Sequence, residues 1–293
     1  MMEKSDTDVI LELERILDRR IPEVGKTHWK TFGVEYDMDM VVGLNLRACD
    51  LTKFPESICN LESLEQLWLH NNELSELPES ISNLKSLERL GLFNNELIEL
   101  PESFGDLNSL GELTIYNNEL TSLPESIQGL KSLEKLLILN NRLSYLPESF
   151  CELSSLRQLD LSANKLNKLP ESFGKLKLLV TLFINENKLT ELPKSFRNLK
   201  SLKILYLRKN RLRSLPYFLL QLQSLKKIDL RGNPFDKEEI DTNKTSADKV
   251  FRYLRDKREE EIKEFKKKFK ENEKWLKRID DGFILDNRPM RII

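Results

Sequence analysis

The most regular feature of the chain is the spacing of its leucines, which repeats every 23 residues. In residues 64–86, Leu67 and Leu69 flank Trp68, so the two leucines share one side of an extended segment and the tryptophan takes the other. This alternation is typical of a β-strand, because successive side chains of a strand point to opposite faces. Pro78 then begins a segment that favours a short helical turn, since the N–H that proline lacks would have no partner there. Each unit is therefore predicted to contain a strand, a turn and a short helical return.

Prolines and asparagines repeat with the same period as the leucines. Eight prolines follow one another at steps of 23 residues: Pro55, Pro78, Pro101, Pro124, Pro147, Pro170, Pro193 and Pro216. Self-similarity at a fixed period of this length is typical of solenoid proteins. Asparagines recur at the corner after each strand, namely Asn72, Asn95, Asn118, Asn141, Asn164, Asn187, Asn210 and Asn233. Because a buried amide can satisfy backbone groups that a turn leaves open, these asparagines are predicted to form a ladder along the solenoid.

The combined pattern, LxxLxLxxNxLxxLPxxLxxLxx, resembles that of the leucine-rich repeat family. It is similar in particular to the intracellular 23-residue repeats of the Ras-suppressor, scribble and erbin scaffolds. The resemblance covers nine repeats over residues 41–235, with Cys49 in place of the first asparagine and Phe54 in place of a leucine. It implies an α/β fold, a leucine-rich repeat solenoid shaped as a curved horseshoe, with a parallel β-sheet on the concave face and helical caps at both ends.

Residues 1–40 are predicted to form an N-terminal cap, because a solenoid exposes its apolar core at both ends. Residues 6–20 carry apolar side chains at helical spacing, and Ser5 and Asp8 have the spacing of a capping box at the start of that helix. The stretch from Trp29 to Tyr36 alternates as in a strand, and residues 37–39 are expected to turn it back onto residues 41–42 as a hairpin. The cap is therefore predicted to consist of a helix and a hairpin.

Residues 236–293 are predicted to form a C-terminal helical cap that continues into a charged amphipathic arm. Ser246 is placed to cap a helix that extends to about residue 279. Arg258 stands where the next apolar residue of the helix is due, so the packed part is expected to end near Leu254. The string TSADKVFRYLRD in this helix resembles the segment that follows the leucine-rich repeats of Roco proteins.

The charge balance argues against a generally basic surface. The chain has 47 lysines and arginines against 48 aspartates and glutamates, a net charge of −1, so no nucleic-acid partner is expected. Residues 249–278 hold 13 basic and 7 acidic side chains, but their interleaved glutamates favour an ordinary solvated helix. The sequence contains no run of eighteen apolar residues, and no membrane insertion is expected.

The cysteines and the N-terminus bear on the cellular compartment. Cys49, Cys59 and Cys151 lack the paired spacing of a zinc site or a disulfide framework, which indicates reduced thiols. The N-terminal residues lack the unbroken apolar core of a signal peptide. Together these features predict a cytoplasmic location.

Catalytic chemistry has little support in the sequence. The string Val24-Gly25-Lys26-Thr27 ends like a phosphate-binding loop, but Arg20 stands where that motif requires a glycine. The two histidines of the chain, His28 and His70, are far apart in sequence and in unrelated settings, which argues against a catalytic triad or a two-histidine metal site. No enzymatic activity, no metal and no cofactor are therefore expected.

The outward positions of the strands supply the candidate binding residues. Over the second to fifth repeats these positions hold a diagonal of apolar side chains with donors at its edge, namely Trp68, Phe93, Tyr116, Leu137 and Leu139 with His70 and Arg89. A second cluster, aromatic and basic, comprises Phe183, Tyr206, Arg208 and Lys209. Exposed aromatic rings and arginines dominate the energetics of protein interfaces, so both clusters are predicted to contact a partner.

The sequence therefore predicts a non-enzymatic protein–protein interaction module with a signalling or scaffold role. The family resemblance implies a protein partner, of which a small GTPase or another signalling protein is an example. An alternative is a regulatory or targeting subunit of an enzyme, engaged through the C-terminal helix. A further alternative to a monomer is an assembly subunit that oligomerises through apolar residues of that helix, namely Phe265, Phe269 and Leu276.

Overall fold

The computed structural model describes residues 5–235 and 246–268. Helix α1 (Asp6–Leu17) comes first, and helix α2 (Ala247–Lys268) comes last. Between them lie ten short strands: β1 (Gly33–Asp37), β2 (Met40–Asn45), β3 (Gln66–Trp68), β4 (Arg89–Gly91), β5 (Glu112–Thr114), β6 (Lys135–Leu137), β7 (Gln158–Asp160), β8 (Thr181–Phe183), β9 (Ile204–Tyr206) and β10 (Lys227–Asp229). The predicted leucine-rich repeat solenoid is confirmed, with one strand in each repeat.

All ten strands belong to one sheet and lie in it in chain order. The pair β1 and β2 is antiparallel, and from β2 to β10 every neighbouring pair is parallel. The register advances by one repeat at each step, so that Leu67 pairs with Leu90 and Leu90 with Leu113. Because the register of the parallel pairs from β2 to β10 never slips, equivalent residues of successive repeats form straight columns on the concave face.

Short 3-10 helices form the convex side, where each begins after its repeat proline. They span Glu56–Asn60, Glu79–Asn83, Glu102–Asp106, Glu125–Gly129, Glu148–Glu152, Phe173–Lys175, Lys194–Asn198 and Tyr217–Gln221. The proline carbonyl accepts the first bond of the turn, as from Ile81 N–H to Pro78 at 3.1 Å. Glutamates at the helix starts also reach the next repeat, since Glu79 accepts a bond from Ser103 N–H at 3.1 Å. These acidic side chains therefore join neighbouring repeats in addition to favouring the helix N-terminus.

The core runs the length of the solenoid between the sheet and the 3-10 helices. The leucine positions of the repeat are inaccessible, and Leu136 in the middle of the chain is only 1% exposed. Phenylalanines fill the convex half of the core, where the rings of Phe173 and Phe196 stack at 5.8 Å. Close packing of this kind leaves no room for a repeat to move independently of its neighbours.

The predicted asparagine ladder is confirmed. Asn95 is typical: its Oδ1 accepts a hydrogen bond from Leu74 N–H at 3.1 Å, and its Nδ2 donates to the carbonyls of Leu69 and Leu92 at 3.0 Å each. Leu69 and Leu74 lie in the preceding repeat, so one amide satisfies three backbone groups across two repeats. Each buried asparagine therefore ties its own turn to the previous one.

The N-terminal cap contains the predicted helix and hairpin. The capping box of α1 is present, with Asp8 N–H donating to Ser5 Oγ and Ser5 N–H donating to the Asp8 carboxylate, both at 3.2 Å. The helix ends at Leu17 rather than at residue 20, because Asp18 adopts the left-handed conformation with φ 48°. Its buried side chains, Val9, Ile10 and Leu13, face the first 3-10 helix.

Helix α2 covers the last repeat with its first two turns. Ala247, Val250 and Leu254 are buried, and the helix contacts the last 3-10 helix, Tyr217–Gln221. Beyond Leu254, every described side chain of the helix is half-buried or exposed. The predicted arm beyond residue 268, with Phe269 and Leu276, lies outside the described residues.

No helix within residues 5–235 and 246–268 combines the length and the apolar character that crossing a bilayer requires.

Candidate binding face

The concave face is built from two straight columns of outward side chains. The first column follows the last residue of each strand and holds Asn45, Trp68, Gly91, Thr114, Leu137, Asp160, Phe183, Tyr206 and Asp229. The second column lies two residues later in each repeat and holds Arg47, His70, Phe93, Tyr116, Leu139, Ser162, Asn185, Arg208 and Arg231. All of the predicted partner-binding residues except Arg89 and Lys209 lie in these two columns.

An aromatic stack occupies the N-terminal end of the face. The ring of His70 stacks on Phe93 with centroids 4.1 Å apart, and Phe93 stacks on Tyr116 at 4.6 Å. Trp68 meets His70 edge-on at 6.4 Å. The structure thus brings four of the predicted residues together, as expected, but it packs them against one another.

The expectation that Trp68, His70 and Phe93 are exposed is wrong. Their exposed fractions are 6%, 1% and 7%, because the rings stack face to face and Trp68 lies across Gly91, which has no side chain. Tyr116, the last ring of the stack, is half-buried and is the member with the most accessible surface. A partner would therefore meet Tyr116 before the other rings.

The loop formed by residues 27–31 of the cap closes this end of the face. Asn45 Nδ2 donates to the His28 carbonyl at 2.7 Å, and Arg47 Nη1 donates to the Lys30 carbonyl at 2.9 Å. Burial, together with the nearby Arg47 charge, lowers the pKa of His70 to about 4. His70 is therefore a neutral, internal side chain at neutral pH.

The phosphate-loop-like string belongs to the same cap loop and has a structural role. Thr27 is buried, and its backbone N–H and its hydroxyl donate to the Glu35 carboxylate at 2.6 and 2.7 Å. Gly43 makes room for this pair, since a Cβ atom there would lie 2.0 Å from Thr27 Oγ1. The hydroxyl that a phosphate-binding loop would direct to a metal ion is thus engaged within the cap.

The middle of the face is apolar and partly accessible. Tyr116, Leu137, Leu139, Phe183 and Tyr206 are all half-buried, and the rings of Phe183 and Tyr206 lie 5.0 Å apart. We call these five residues the central apolar surface. None of them belongs to the buried core that the leucines form.

One acidic residue, Asp160, lies within this surface although it is not among the predicted partner-binding residues. Its strand register places it directly between Leu137 and Phe183. Ser162 N–H donates to its Oδ1 at 2.9 Å, and burial raises the pKa of the Asp160 carboxyl above its usual range. The signal in the sequence is an acid at an outward strand position whose neighbours in the column are apolar.

Lys209 of the second cluster is paired with an acid, and so is Arg231 in the adjacent repeat. Lys209 Nζ pairs with Glu186 Oε1 at 2.8 Å. Arg231 holds Asp229 through a bond from Nε to Oδ1 at 2.9 Å, which keeps the pKa of Asp229 below its usual range. Arg208, the other basic residue of this cluster, is exposed at the edge of the face.

Arg89 lines a shallow depression of about 550 Å³ at the edge where the strands begin. Its walls carry charges of both signs, including Glu88, Glu112 and Lys135, and the last two form an ion pair of 2.6 Å. Gly111 lies at the floor of the depression and adds no side chain to it, whereas the same position is a glutamate in the two adjacent repeats.

A second asparagine ladder borders the opposite edge of the face. Asn71, Asn94, Asn117 and Asn140 all have positive φ, between 53° and 57°. Their side-chain amides bond from one repeat to the next at 2.5 to 2.7 Å. Asparagine tolerates the left-handed conformation better than most residues, which accounts for its use at this turn.

The described residues offer little that could act as a nucleophile or a metal ligand. Within residues 5–235 and 246–268, no group of three or more histidine, cysteine or acidic side chains is placed to hold a metal ion. Burial raises the pKa of Cys151 to about 11 and that of Cys59 above its usual range. Both thiols are therefore protonated at neutral pH and poor nucleophiles.

Comparison with known proteins gives one family. A model described as a leucine-rich repeat region matches residues 43–119 and 143–245, which is more than half of the chain. No match was found among curated proteins.

Solved structures give the same fold. A leucine-rich repeat protein of Leptospira interrogans is 40% identical, with a TM-score of 0.63, over 65% of this chain and 48% of that one. The Arabidopsis receptor kinase HAESA, solved with the peptide hormone IDA and the co-receptor SERK1, is 30% identical, with a TM-score of 0.62, over 72% and 37%. A chain in the Drosophila Toll–Spatzle complex is 26% identical, with a TM-score of 0.62, over 69% and 28%. The chain thus spans about half of the Leptospira protein and about a third of the other two.

Proposed function

Because the chain belongs to the leucine-rich repeat family, we propose that it is a non-enzymatic interaction module that holds a partner protein on its concave face. Leucine-rich repeat proteins are generally binding modules rather than enzymes. The observation that carries the proposal is the central apolar surface, which combines three aromatic side chains and two leucines outside the core. Half-buried aromatic rings on the outward side of a sheet are suited to a polypeptide interface.

The solved neighbours support a polypeptide as the ligand class. HAESA was solved with a peptide hormone and a co-receptor, and Toll was solved in complex with Spatzle. In this chain the central apolar surface extends from the fourth to the eighth repeat. Strands stack about 4.8 Å apart, so this surface is roughly 20 Å long and can accommodate a peptide segment or a loop.

Within this proposal the buried aromatic stack has a supporting role. Trp68, His70 and Phe93 hold the ring of Tyr116 in place from the N-terminal end, while Tyr116 contacts the partner. Rigid aromatic anchors contribute more affinity than mobile ones, because less side-chain entropy is lost on binding. Replacing Trp68 or Phe93 by alanine should therefore weaken binding through the position of Tyr116.

The proposal also specifies the class of the partner protein and its cellular compartment. The resemblance of the repeats to those of Ras-suppressor, scribble and erbin scaffolds favours a signalling protein, with a small GTPase as the specific case to test. A cytoplasmic location agrees with the free thiols of Cys49, Cys59 and Cys151.

Helix α2 supports a second candidate function, that of a targeting subunit engaged through this helix. The helix continues well past Leu254, which is the last buried residue up to residue 267. A chain that ends at Glu261 keeps the packed turns and removes the projecting ones. Unchanged capture of the partner by this shortened chain would favour the concave face over the helix.

Site-specific photo-crosslinking tests the choice of face. A benzophenone amino acid at position 208, on the edge of the concave face, should give a discrete protein adduct in cells. The matched control is position 125, an exposed glutamate on the convex side. The adduct at position 208 should disappear when Phe183 and Tyr206 are both replaced by alanine. Adducts formed at position 125 and not at position 208 would contradict the proposal.

A further inference from the structure

Asp160 carries a negative charge that no basic side chain of the described residues balances. The sheet places it between Leu137 and Phe183, and it is half-buried there. Its hydrogen bonds come from Ser162, whose N–H lies 2.9 Å from Oδ1. Within residues 5–235 and 246–268, no lysine, arginine or histidine forms an ion pair with its carboxylate.

The same column contains a second aspartate, Asp229, whose charge is balanced by an arginine. Asp229 has the equivalent backbone bond, from Arg231 N–H to Oδ1 at 3.1 Å. The side chain two residues on is an arginine there, and it reaches back to the carboxylate with Nε at 2.9 Å. At Asp160 the residue two positions on is Ser162, which has no charge to offer.

A third member of the column shows that the fold does not need the charge. Asn45 accepts the same bond from Arg47 N–H at 2.9 Å, with an amide oxygen in place of a carboxylate. A neutral acceptor therefore serves the turn after the strand as well as an anion does, and Leu137 and Phe183 at the same column position show that the turn forms with neither. Asparagine at position 160 would satisfy the turn equally well and would avoid placing a charge between a leucine and a phenylalanine.

A partly desolvated carboxylate costs stability, and a cation from a partner would offset that cost. Burial raises the pKa of Asp160, because the same desolvation disfavours the ionised carboxylate relative to the protonated form. Hydrogen bonds between ionised groups are the strong ones, particularly when an arginine meets a carboxylate. Phe183 beside the acid adds a ring face on which a planar guanidinium can stack, and Leu137 can cover its aliphatic stem.

We propose that Asp160, Leu137 and Phe183 form a site for one arginine side chain of the partner polypeptide. This inference rests on the proposed function, because it names the residue that the concave face recognises. Tyr206 and Leu139 on either side favour apolar residues next to that arginine. The predicted ligand is therefore an arginine flanked by apolar side chains.

Selection from a random peptide library displayed on messenger RNA tests the proposal. Wild-type protein should enrich arginine between apolar residues, whereas Asp160→Asn should enrich apolar residues without arginine. A synthetic peptide from the wild-type selection is then compared with its citrulline analogue, which keeps the shape and removes the charge. Wild-type protein should lose at least about tenfold in affinity with citrulline, and Asp160→Asn less than about twofold.

Three results would overturn the arginine site. They are selected peptides that lack arginine, lysine enriched as strongly as arginine, and a loss of affinity with citrulline that is equal for the two proteins. If those peptides still depend on Phe183 and Tyr206, the proposed function stands without it. If no selected peptide depends on Phe183 and Tyr206, the concave face itself is excluded. Asp160→Asn should melt no lower than the wild type, since Asn45 shows that the amide fits the turn and the substitution removes a partly desolvated charge.

Discussion

The indole ring of Trp68 lies over Gly91, so closely that a Cβ atom on residue 91 would lie 2.3 Å from the Cε3 atom of the ring. Gly91 has no positive φ, and therefore its backbone conformation does not require a glycine. What requires it is the space that Trp68 occupies. The absence of one side chain in the fourth strand thus allows the tryptophan of the third strand to lie flat and to meet His70 edge-on.

Gly91→Ala should destabilise the protein by about 1–3 kcal/mol, because the added methyl group must displace the indole from a packed position. Urea unfolding measures this. Gly111→Ala is the matched control, since a Cβ atom there would meet nothing nearer than 3.7 Å. It should change stability by less than about 0.5 kcal/mol. Equal effects of the two substitutions would show that Trp68 does not depend on the space above Gly91.

Leu136→Ala should cost about 2–5 kcal/mol, since a central leucine that is 1% exposed leaves a cavity that its neighbours cannot fill. The neighbouring Leu137 provides the comparison, because it points outward and is half-buried. Leu137→Ala should cost about 1 kcal/mol or less. Denaturant melts of both variants distinguish the inward from the outward position, and a reversed order would contradict the assigned strand register.

His70 should make stability fall in mildly acidic solution. Its pKa is about 4 in the folded chain, below the ordinary 6.5, so the unfolded chain binds the proton first as the pH decreases. Stability should therefore decline between about pH 6.5 and pH 4, by up to about 3 kcal/mol from this residue. His70→Phe keeps a stacked ring, as Phe93 does in the next repeat, and removes the titration. The difference in unfolding free energy between the two proteins should grow over this interval and be constant above pH 7.

Truncation should separate the packed part of α2 from the projecting part. A chain that ends at Asn233 loses Val250 and Leu254 and exposes the apolar end of the last repeat, so it should aggregate. A chain that ends at Glu261 keeps both residues and should melt within about 2 °C of the full chain. Light scattering and thermal melts check the two results. A large loss of stability in the longer chain would mean that the end of the helix also packs on the solenoid.

Convex glutamates differ in their value as controls for binding. Glu79 and Glu102 each accept a hydrogen bond from the backbone of the next repeat, at 3.1 and 3.3 Å, so replacing them would also disturb the contact between repeats. Glu125 is exposed on the same side, and Glu125→Ala should leave binding to the concave face unchanged.

The sequence by itself determined the solenoid, because every feature that defines a repeat is local or recurs at one distance. Leucines at strand spacing, a proline that begins each 3-10 helix and an asparagine at each corner specify one unit, and the constant period specifies how units stack. The capping box of Ser5 and Asp8 is equally local, and it is present as predicted. No distant contact was needed for any of these features.

Only the tertiary structure decided which outward side chains a partner can reach. Trp68 and Phe93 have the same sequence signature as Phe183 and Tyr206, but the first two are buried and the last two are half-buried. The difference depends on residues one repeat or more away: Gly91 makes room for the indole, and a loop of the cap closes over the first strands. Burial on the concave face is a property of neighbouring columns and of the cap, and a single repeat does not contain that information.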